Sequence, residues 1–348
     1  MSSKLRIAVV ANANSIHTTR WVNWLRKNDH EVTIFSLNEG EDCVYFGPEP
    51  ALDRSLIFNL GKNVRRTTSE LQKKIDEFKP DIVHGFFLVN HGMYASRIKG
   101  YPKVITAMGS DVLIAPNKSK LLSWIVKRTI KNSDSIFGPP ILIKEIKKWN
   151  LNTKLNENVI GINTSLFKPL KKTKSIVFAR GFKEVYNPIV VSNAIKILET
   201  KLNDFKFILC GDGPLKSESE KILNSCKNVE FTGQINEEKL AEFVGEAKLV
   251  ISPSLSDSIP LTILEAVACG APVVASDIPV NQNWVDRGLP VTIFNKNDPN
   301  HLAEKILETI EIQTPLEHEP GLIKEKYSFE TESKKVEEKY FDLVNAIV

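Results

Sequence analysis

Two acids, Asp257 and Glu265, stand eight positions apart in the stretch Pro253-Ser-Leu-Ser-Asp-Ser-Ile-Pro-Leu-Thr-Ile-Leu-Glu265-Ala. Ser258 and Pro260 suit the opening of a helix, since serine caps free N–H groups and proline tolerates the first turn. Gly270 and Pro272 suit its close. A helix start, with unbonded N–H groups and a positive dipole end, is a site for a diphosphate. Glu265 is then roughly 8–10 Å further along, at ~1.5 Å per residue. That is about the span from a diphosphate to its ribose, and an ionised carboxylate there accepts hydrogens from both ribose hydroxyls. Asp257, at the mouth, can accept hydroxyls of a sugar. An ordinary buried helix whose Glu pairs with a Lys fits the spacing equally well, so the surrounding residues must decide.

Several of those residues are suited to the same task. Arg180 follows an apolar run and offers a planar fork of donors, permanently charged, to phosphate oxygens; an ion pair is the plainer alternative. Lys183 is close by, and Tyr186 or Asn187 could donate hydrogen bonds. Gly211-Asp-Gly213-Pro214 ends another apolar run, and its glycines permit tight turns and close ligand approach. In the first half, Ala11-Asn-Ala-Asn14-Ser-Ile-His17 follows the first apolar run. His17 is a candidate ligand contact, His84 could equally be a satisfied core histidine, and Asp111 of Gly109-Ser110-Asp111 could orient hydroxyls.

Such groups must sit at the ends of strands. Short buried-strand patterns alternate with helical ones throughout, as in parallel α/β architecture. Leu5–Ala11, Glu31–Ser36, Ile82–His84 and Val104–Thr106 read as strands, with a helix over 18–28. Each strand precedes a polar or glycine-containing turn, where a doubly wound sheet places its ligand sites. The pattern resets near 162–174, read as a linker, and resumes with Ile176–Ala179, Phe207–Cys210, Val229–Thr232, Leu249–Ser252 and Val273–Ala275. An amphipathic helix is expected over about 331–347. At 348 residues two domains are the natural expectation.

Hydrophobic content of 42% and charged content of 25% are those of a globular protein. No apolar run approaches the ~20 residues that span a bilayer, and Ile7-Ala-Val-Val10 is too short for a signal-peptide core, so the cytoplasm is the expected compartment. Cys43, Cys210, Cys226 and Cys269 lack metal-ligand spacing and read as reduced thiols. Net charge is +4, but residues 1–165 hold 24 Lys and Arg against 15 Asp and Glu, a balance of +9. The remainder holds 22 against 27, a balance of −5. A basic first half suits an anionic partner, although chance surface composition explains it as well. Within it, Lys118-Ser-Lys-Leu-Leu-Ser-Trp-Ile-Val-Lys-Arg-Thr-Ile-Lys131 combines apolar residues and cations as a membrane-surface helix would; a core-packed helix with a solvated face is the alternative.

The ordered set of motifs resembles the family 4 retaining glycosyltransferases (glycosyl transferases group 1) over almost the whole chain. Pro253–Pro272 resembles the E-x7-E segment, with Asp257 where the family usually has Glu. Phe178-Ala-Arg180-Gly, Gly211-Asp-Gly-Pro214, Phe231-Thr-Gly233-Gln-Ile235, His17-Thr-Thr-Arg-Trp21, Asp81-Ile-Val-His84, Gly109-Ser-Asp111 and Gly161–Pro169 correspond in the same order. Val185 stands where the family has Lys, Met108 where many relatives carry His, and the loop after the first strand lacks the usual glycines.

The resemblance implies a GT-B fold: two Rossmann-like β/α/β domains facing a central cleft, with a C-terminal helix crossing back to the first. Residues 1–165, with the crossover helix at about 331–348, would form the acceptor-binding domain, and 166–330 the nucleotide-sugar domain. It implies retaining transfer from a UDP- or GDP-sugar to a glycan, lipid-linked or small-molecule acceptor in cell-surface polysaccharide or glycoconjugate synthesis. Attack would come from the front face, without a protein nucleophile, a metal or a further cofactor, and nucleic acid has no part in it. Arg180, Lys183, Asp257 and Glu265 would be catalytic; Gly211, Gly213, Gln234, Ile235, Ser258, Ile259, Pro260 and Leu261 would bind the donor; Asn14, His17, His84, Gly109, Ser110 and Asp111 would bind acceptor or sugar. The expected location is cytoplasmic, with peripheral contact through 118–131 at the inner face of the membrane. A GT-B sugar-nucleotide epimerase and a non-catalytic interaction subunit are the rival readings.

Overall fold

Near-continuous short apolar runs form the central strands, because helices on both faces of a parallel sheet leave no polar side. A computed structural model describes residues 4–47, 57–311, 316 and 318–346. The chain divides into two units, Met1–Val159 with Ser333–Val348, and Ile160–Glu332.

The first unit is built on β1 (Arg6–Val10), β2 (Glu31–Ser36), β3 (Cys43–Tyr45), β4 (Ile82–Phe86), β5 (Lys103–Thr106), β6 (Ser135–Gly138) and β7 (Lys154–Glu157). All pair in parallel, in the order β3-β2-β1-β4-β5-β6-β7. Residues Ile7–Val10 and all of β4 are buried. Their side chains meet those of helices such as Lys120–Lys131 and Pro140–Lys147 in one core that includes Val83, Tyr94, Ile130 and Leu142.

The second unit repeats the scheme with β8 (Ser175–Phe178), β9 (Lys206–Cys210), β10 (Val229–Gly233), β11 (Leu249–Ser252), β12 (Val273–Ser276) and β13 (Val291–Phe294). Its parallel order is β10-β9-β8-β11-β12-β13. Phe178, Phe182, Leu209 and Ile251 belong to its core, closed by the helices Pro188–Leu198 and Pro299–Glu311. In each sheet the order runs outward in both directions from one central pair, β1/β4 or β8/β11. Such a switch point leaves a crevice at the carboxyl ends of the pair.

The stretch 162–174 packs into the second unit. Lys172 donates to the carbonyls of Gly245 at 3.0 Å and Cys269 at 2.7 Å, at the closing ends of the helices Glu237–Glu246 and Leu261–Ala268. A cation there complements two dipoles and satisfies carbonyls that the helices leave open. Burial draws the Lys172 pKa down to about 8. All four cysteines are free thiols.

The last helix, Phe329–Asn345, begins in the second unit and ends in the first. Its start is fixed by a parallel bridge between Ile162 and Ser328, with Phe329 N donating to Ile162 O at 2.8 Å. Gly161 lies under that crossing with φ +79°, and a Cβ there would fall 2.6 Å from the Ser328 carbonyl oxygen and 2.7 Å from Phe329 N. Gly161→Ala should therefore lower stability by on the order of 2 kcal/mol or more, read as a fall in melting temperature. Gly100→Ala, also at positive φ but in open space, should cost less; equal losses would show that backbone strain, not the close approach, is the constraint.

Candidate functional site

The β8/β11 switch brings together residues from distant parts of the sequence. Arg180 leaves the end of β8, and the loop after β11 carries Asp257. The Arg180 guanidinium donates through Nη2 to Asp257 Oδ2, and its Nη1 lies 3.5 Å from Thr262 Oγ1. Its Cζ sits 4.5 Å from the centre of the Tyr186 ring. The two charged side chains are only 16% and 13% exposed, so each depends on the other: removing one would strand a poorly solvated charge.

Asp257 Oδ1 also accepts from its own loop, from Ser258 N at 2.7 Å and Ile259 N at 3.1 Å. This corrects the reading of the helix start. The helix is Leu261–Ala268 with Pro260 as its N-cap, and Ser258 lies before it. The turn closed by Asp257 draws the N–H groups of 258 and 259 away from the helical path. Glu265, half-buried, is consequently four residues into the helix, about 6 Å from its start at ~1.5 Å per residue, and not 8–10 Å.

A glycine turn buttresses the Arg180 loop. Phe182 N donates to Asp212 O at 3.0 Å, Leu215 N to Phe182 O at 3.0 Å, and Gly211 N to Gly233 O at 2.8 Å. Gly213 has φ +155°, and a Cβ there would fall 2.6 Å from Phe182 O. Gln234 is exposed and Ile235 half-buried just beyond β10, beside Gly211. Lys183 is exposed and caps the short 3-10 turn Glu184–Tyr186. Asn187 turns to Asn297 Oδ1, 3.4 Å away, and Tyr186 presents its ring face to Arg180 in place of a hydroxyl donor. Behind the loop, Ser276 Oγ donates to Ser254 O at 2.5 Å and Asn281 Nδ2 to Ser276 O at 2.9 Å. Thr262, Ser276 and Asn281 carried no signal in the sequence, because each acts through tertiary contact. Among the described residues no three His, Cys, Asp or Glu side chains gather as metal ligands.

In the first unit the candidates separate. Asn14 and Ser110 are exposed and His17 half-buried, on turns or first helical residues after β1 and β5. Asn14 Nδ2 donates to Glu39 O at 3.0 Å. Burial first, and the Arg20 charge second, lower the His17 pKa. His84 must be withdrawn from the substrate-binding set. It is buried, with Nδ1 bonded to the Tyr340 hydroxyl and Nε2 to Thr106 Oγ1 at 2.8 Å, so no ring nitrogen remains for a ligand. Asp111 is withdrawn for the same reason. Its buried carboxylate accepts from Leu88 N at 2.8 Å, Met108 N at 3.1 Å and Gly109 N at 2.8 Å. Burial raises its pKa while those N–H groups oppose the rise. It is a clamp between two loops, and it fixes Gly109, at φ +136°.

The helix Lys120–Lys131 is both core-packed and amphipathic. Ile125, Val126, Thr129 and Ile130 are buried, and Ser119 Oγ caps the start by accepting from Leu122 N at 3.1 Å. Lys120, Leu121, Trp124, Lys127, Arg128 and Lys131 form the exposed face. Trp124 is 52% exposed, and no acid occurs between Asp111 and Asp134.

Residues 163–327 match the family described as glycosyl transferases group 1, and residues 6–138 that described as glycosyl transferase 4-like. An uncharacterized glycosyltransferase of Methanocaldococcus jannaschii is 27% identical over 78% of this chain and 76% of its own length. The alpha-monoglucosyldiacylglycerol synthase of Streptococcus pneumoniae is 25% identical over 95% of this chain and 82% of its own. Other matches span as little as 31% of the relative's length. An Anabaena protein, HepE, solved in complex with UDP, superimposes with a TM-score of 0.78 over 97% of this chain and 100% of its own. At 13% identity that likeness concerns the fold.

The withdrawn histidine sets a pH dependence. Burial holds His84 at a pKa of about 3 and His91 at about 4, against an ordinary 6.5. Both are neutral when folded, so the unfolded chain binds more protons between about pH 4 and 6.5. Stability is then complete above pH 6.5 and lost as pH falls below it, by up to about 1.4 kcal/mol per unit for each group. Urea unfolding should show this decline from pH 7 to pH 5. His91→Gln, whose amide oxygen can still accept from Leu37 N, should make the slope shallower; an unchanged slope would rule out His91 as a source.

Proposed function

Taking as its premise that the chain belongs to the family 4 glycosyltransferases, with their GT-B pair of Rossmann-like domains, we propose that it transfers a sugar from a nucleoside-diphosphate donor with retention of configuration. The observation that carries the proposal is the convergence of Arg180, Asp257 and the Leu261–Ala268 helix at the β8/β11 switch. The second unit would bind the donor. Arg180, Lys183 and the start of the Leu261–Ala268 helix would hold the diphosphate, joined by the Ser258 and Ile259 N–H groups as Asp257 releases them, and stabilise it as it leaves, the main contribution to the rate. Glu265 would accept the ribose hydroxyls. Gln234 and Ile235, with the glycines 211 and 213, would bound the base. Asp257 would give up part of its hold on Arg180 to the phosphates and turn an oxygen to the sugar.

Uridine is the favoured base, on the ground that HepE was solved with UDP; GDP is the alternative. The first unit would bind the acceptor through Asn14, His17, Gly109 and Ser110. A lipid-linked acceptor is favoured by the relative named for diacylglycerol and by the cationic, tryptophan-bearing face of Lys120–Lys131. That face would hold the protein on the inner surface of a membrane. No helix among the described residues is long and apolar enough to cross one.

Two experiments test these readings. UDP or GDP, or a sugar derivative of one, should raise the melting temperature, as binding to the folded state alone requires. Arg180→Ala should weaken that binding about tenfold or more, the ~1.5–3 kcal/mol of a charged hydrogen bond. No shift with any nucleotide would remove the donor site. For the membrane, the protein should float with anionic vesicles and not with neutral ones, and Lys→Glu changes at 118, 120, 127 and 131 together should abolish flotation. Undiminished flotation would dismiss this face.

A further inference from the structure

We infer that Tyr186 is a positioning residue that holds the Arg180 guanidinium over its ring face, so that the N–H donors stay available to anions. The inference rests on the reading of Arg180 as the diphosphate-binding group. A guanidinium has an edge of five N–H donors and two faces. Here Asp257 and Thr262 meet N–H groups, while Cζ lies over the Tyr186 ring, 4.5 Å from its centre. An aromatic face attracts a cation without consuming any N–H. A carbonyl or carboxylate in its place would occupy donors, and a lysine would repel the guanidinium.

The ring is itself held in place. Tyr186 packs on the second unit's core and closes the turn that begins at Lys183, with Tyr186 N donating to Lys183 O at 2.9 Å. Asn187 follows in the left-handed region, at φ +50°, and Pro188 opens the next helix, so the turn cannot slide along the chain. Val185 O accepts from Leu255 N at 2.8 Å, which ties the turn to the loop bearing Asp257. Ring, guanidinium and carboxylate thus belong to two loops that are joined twice, once through backbone and once through Arg180. When a diphosphate displaces Asp257, the ring contact persists and the guanidinium stays in place. This removes rotamer freedom that a long side chain would otherwise lose on binding.

The test measures affinity for UDP and for GDP by titration calorimetry in Tyr186→Phe, Tyr186→Leu, Arg180→Gln and the Arg180→Gln/Tyr186→Leu double variant. Tyr186→Phe should bind within about twofold of wild type, because the ring face is kept. Tyr186→Leu should bind roughly 3- to 30-fold more weakly, the range of a partly desolvated cation–π contact. In the Arg180→Gln background, where no cation remains for the ring to hold, Tyr186→Leu should add almost no further loss. Additive losses would mark Tyr186 as a general structural residue and overturn the inference. So would wild-type affinity in Tyr186→Leu, or a loss in Tyr186→Phe equal to that in Tyr186→Leu. Wild-type protein that binds neither UDP nor GDP would overturn the donor reading itself, and this inference with it.

Discussion

The Arg180–Asp257 pair joins residues 77 positions apart in sequence, and it forms only because β8 and β11 lie side by side where the strand order reverses. Everything else at the site serves that encounter. The turn 211–214 supports the strand-end loop that carries Arg180, and the buried Ser276–Ser254 contact supports the loop that carries Asp257. Neither loop has much regular structure of its own. Each is shaped by what stands behind it, which is how irregular segments hold a chemical group steady without being helices or strands.

The site also shows how polar groups are made tolerable in a parallel fold. Arg180 and Asp257 are mostly removed from water, Lys172 closes two helix ends, and Asp111 collects three backbone N–H groups. In each case a charge is matched by a fixed partner of opposite sign or by dipoles, so the desolvation is compensated. The two halves of the chain use this device for different ends. In the first it secures loops at the sheet's edge; in the second it leaves a guanidinium and a helix start facing the same crevice.

The central strands were legible in the sequence because they are unbroken apolar runs. Leu5–Ala11, Glu31–Ser36 and Leu249–Ser252 were read within a residue of β1, β2 and β11. The strands β3 and β7, at an edge of the first sheet, were not. Cys43-Val-Tyr45 is three residues long and Lys154-Leu-Asn-Glu157 is mostly polar, so pairing defines them and composition does not. Strands β6 and β13 are apolar runs of only four residues; turn residues do bound them, Pro139-Pro140 after β6 and Asn295–Asp298 after β13, so it is brevity that hides them. At the candidate site, the family motif singled out Arg180, Asp257 and Glu265, but nothing in it disclosed that Arg180 and Asp257 contact each other. His84 and Asp111 misled because a strand-end histidine or aspartate looks the same whether it faces a ligand or a buried hydroxyl. The deciding partner of His84 is 256 residues away. Tertiary partners at that range leave no local trace.

That distance has a consequence for how the protein is made. Ribosomes add roughly 5–20 residues per second, so the second unit takes on the order of ten to forty seconds to emerge after the first unit's main segment is complete. Throughout that interval the nascent first unit lacks Tyr340 and Glu337, the residues that complete its His84 and His30 contacts. Trp21 and His84, which pack against the Tyr340 ring, are uncovered for as long. The half of the protein that is translated first is thus the half that matures last, and a chaperone attending its synthesis would find its exposed surface there.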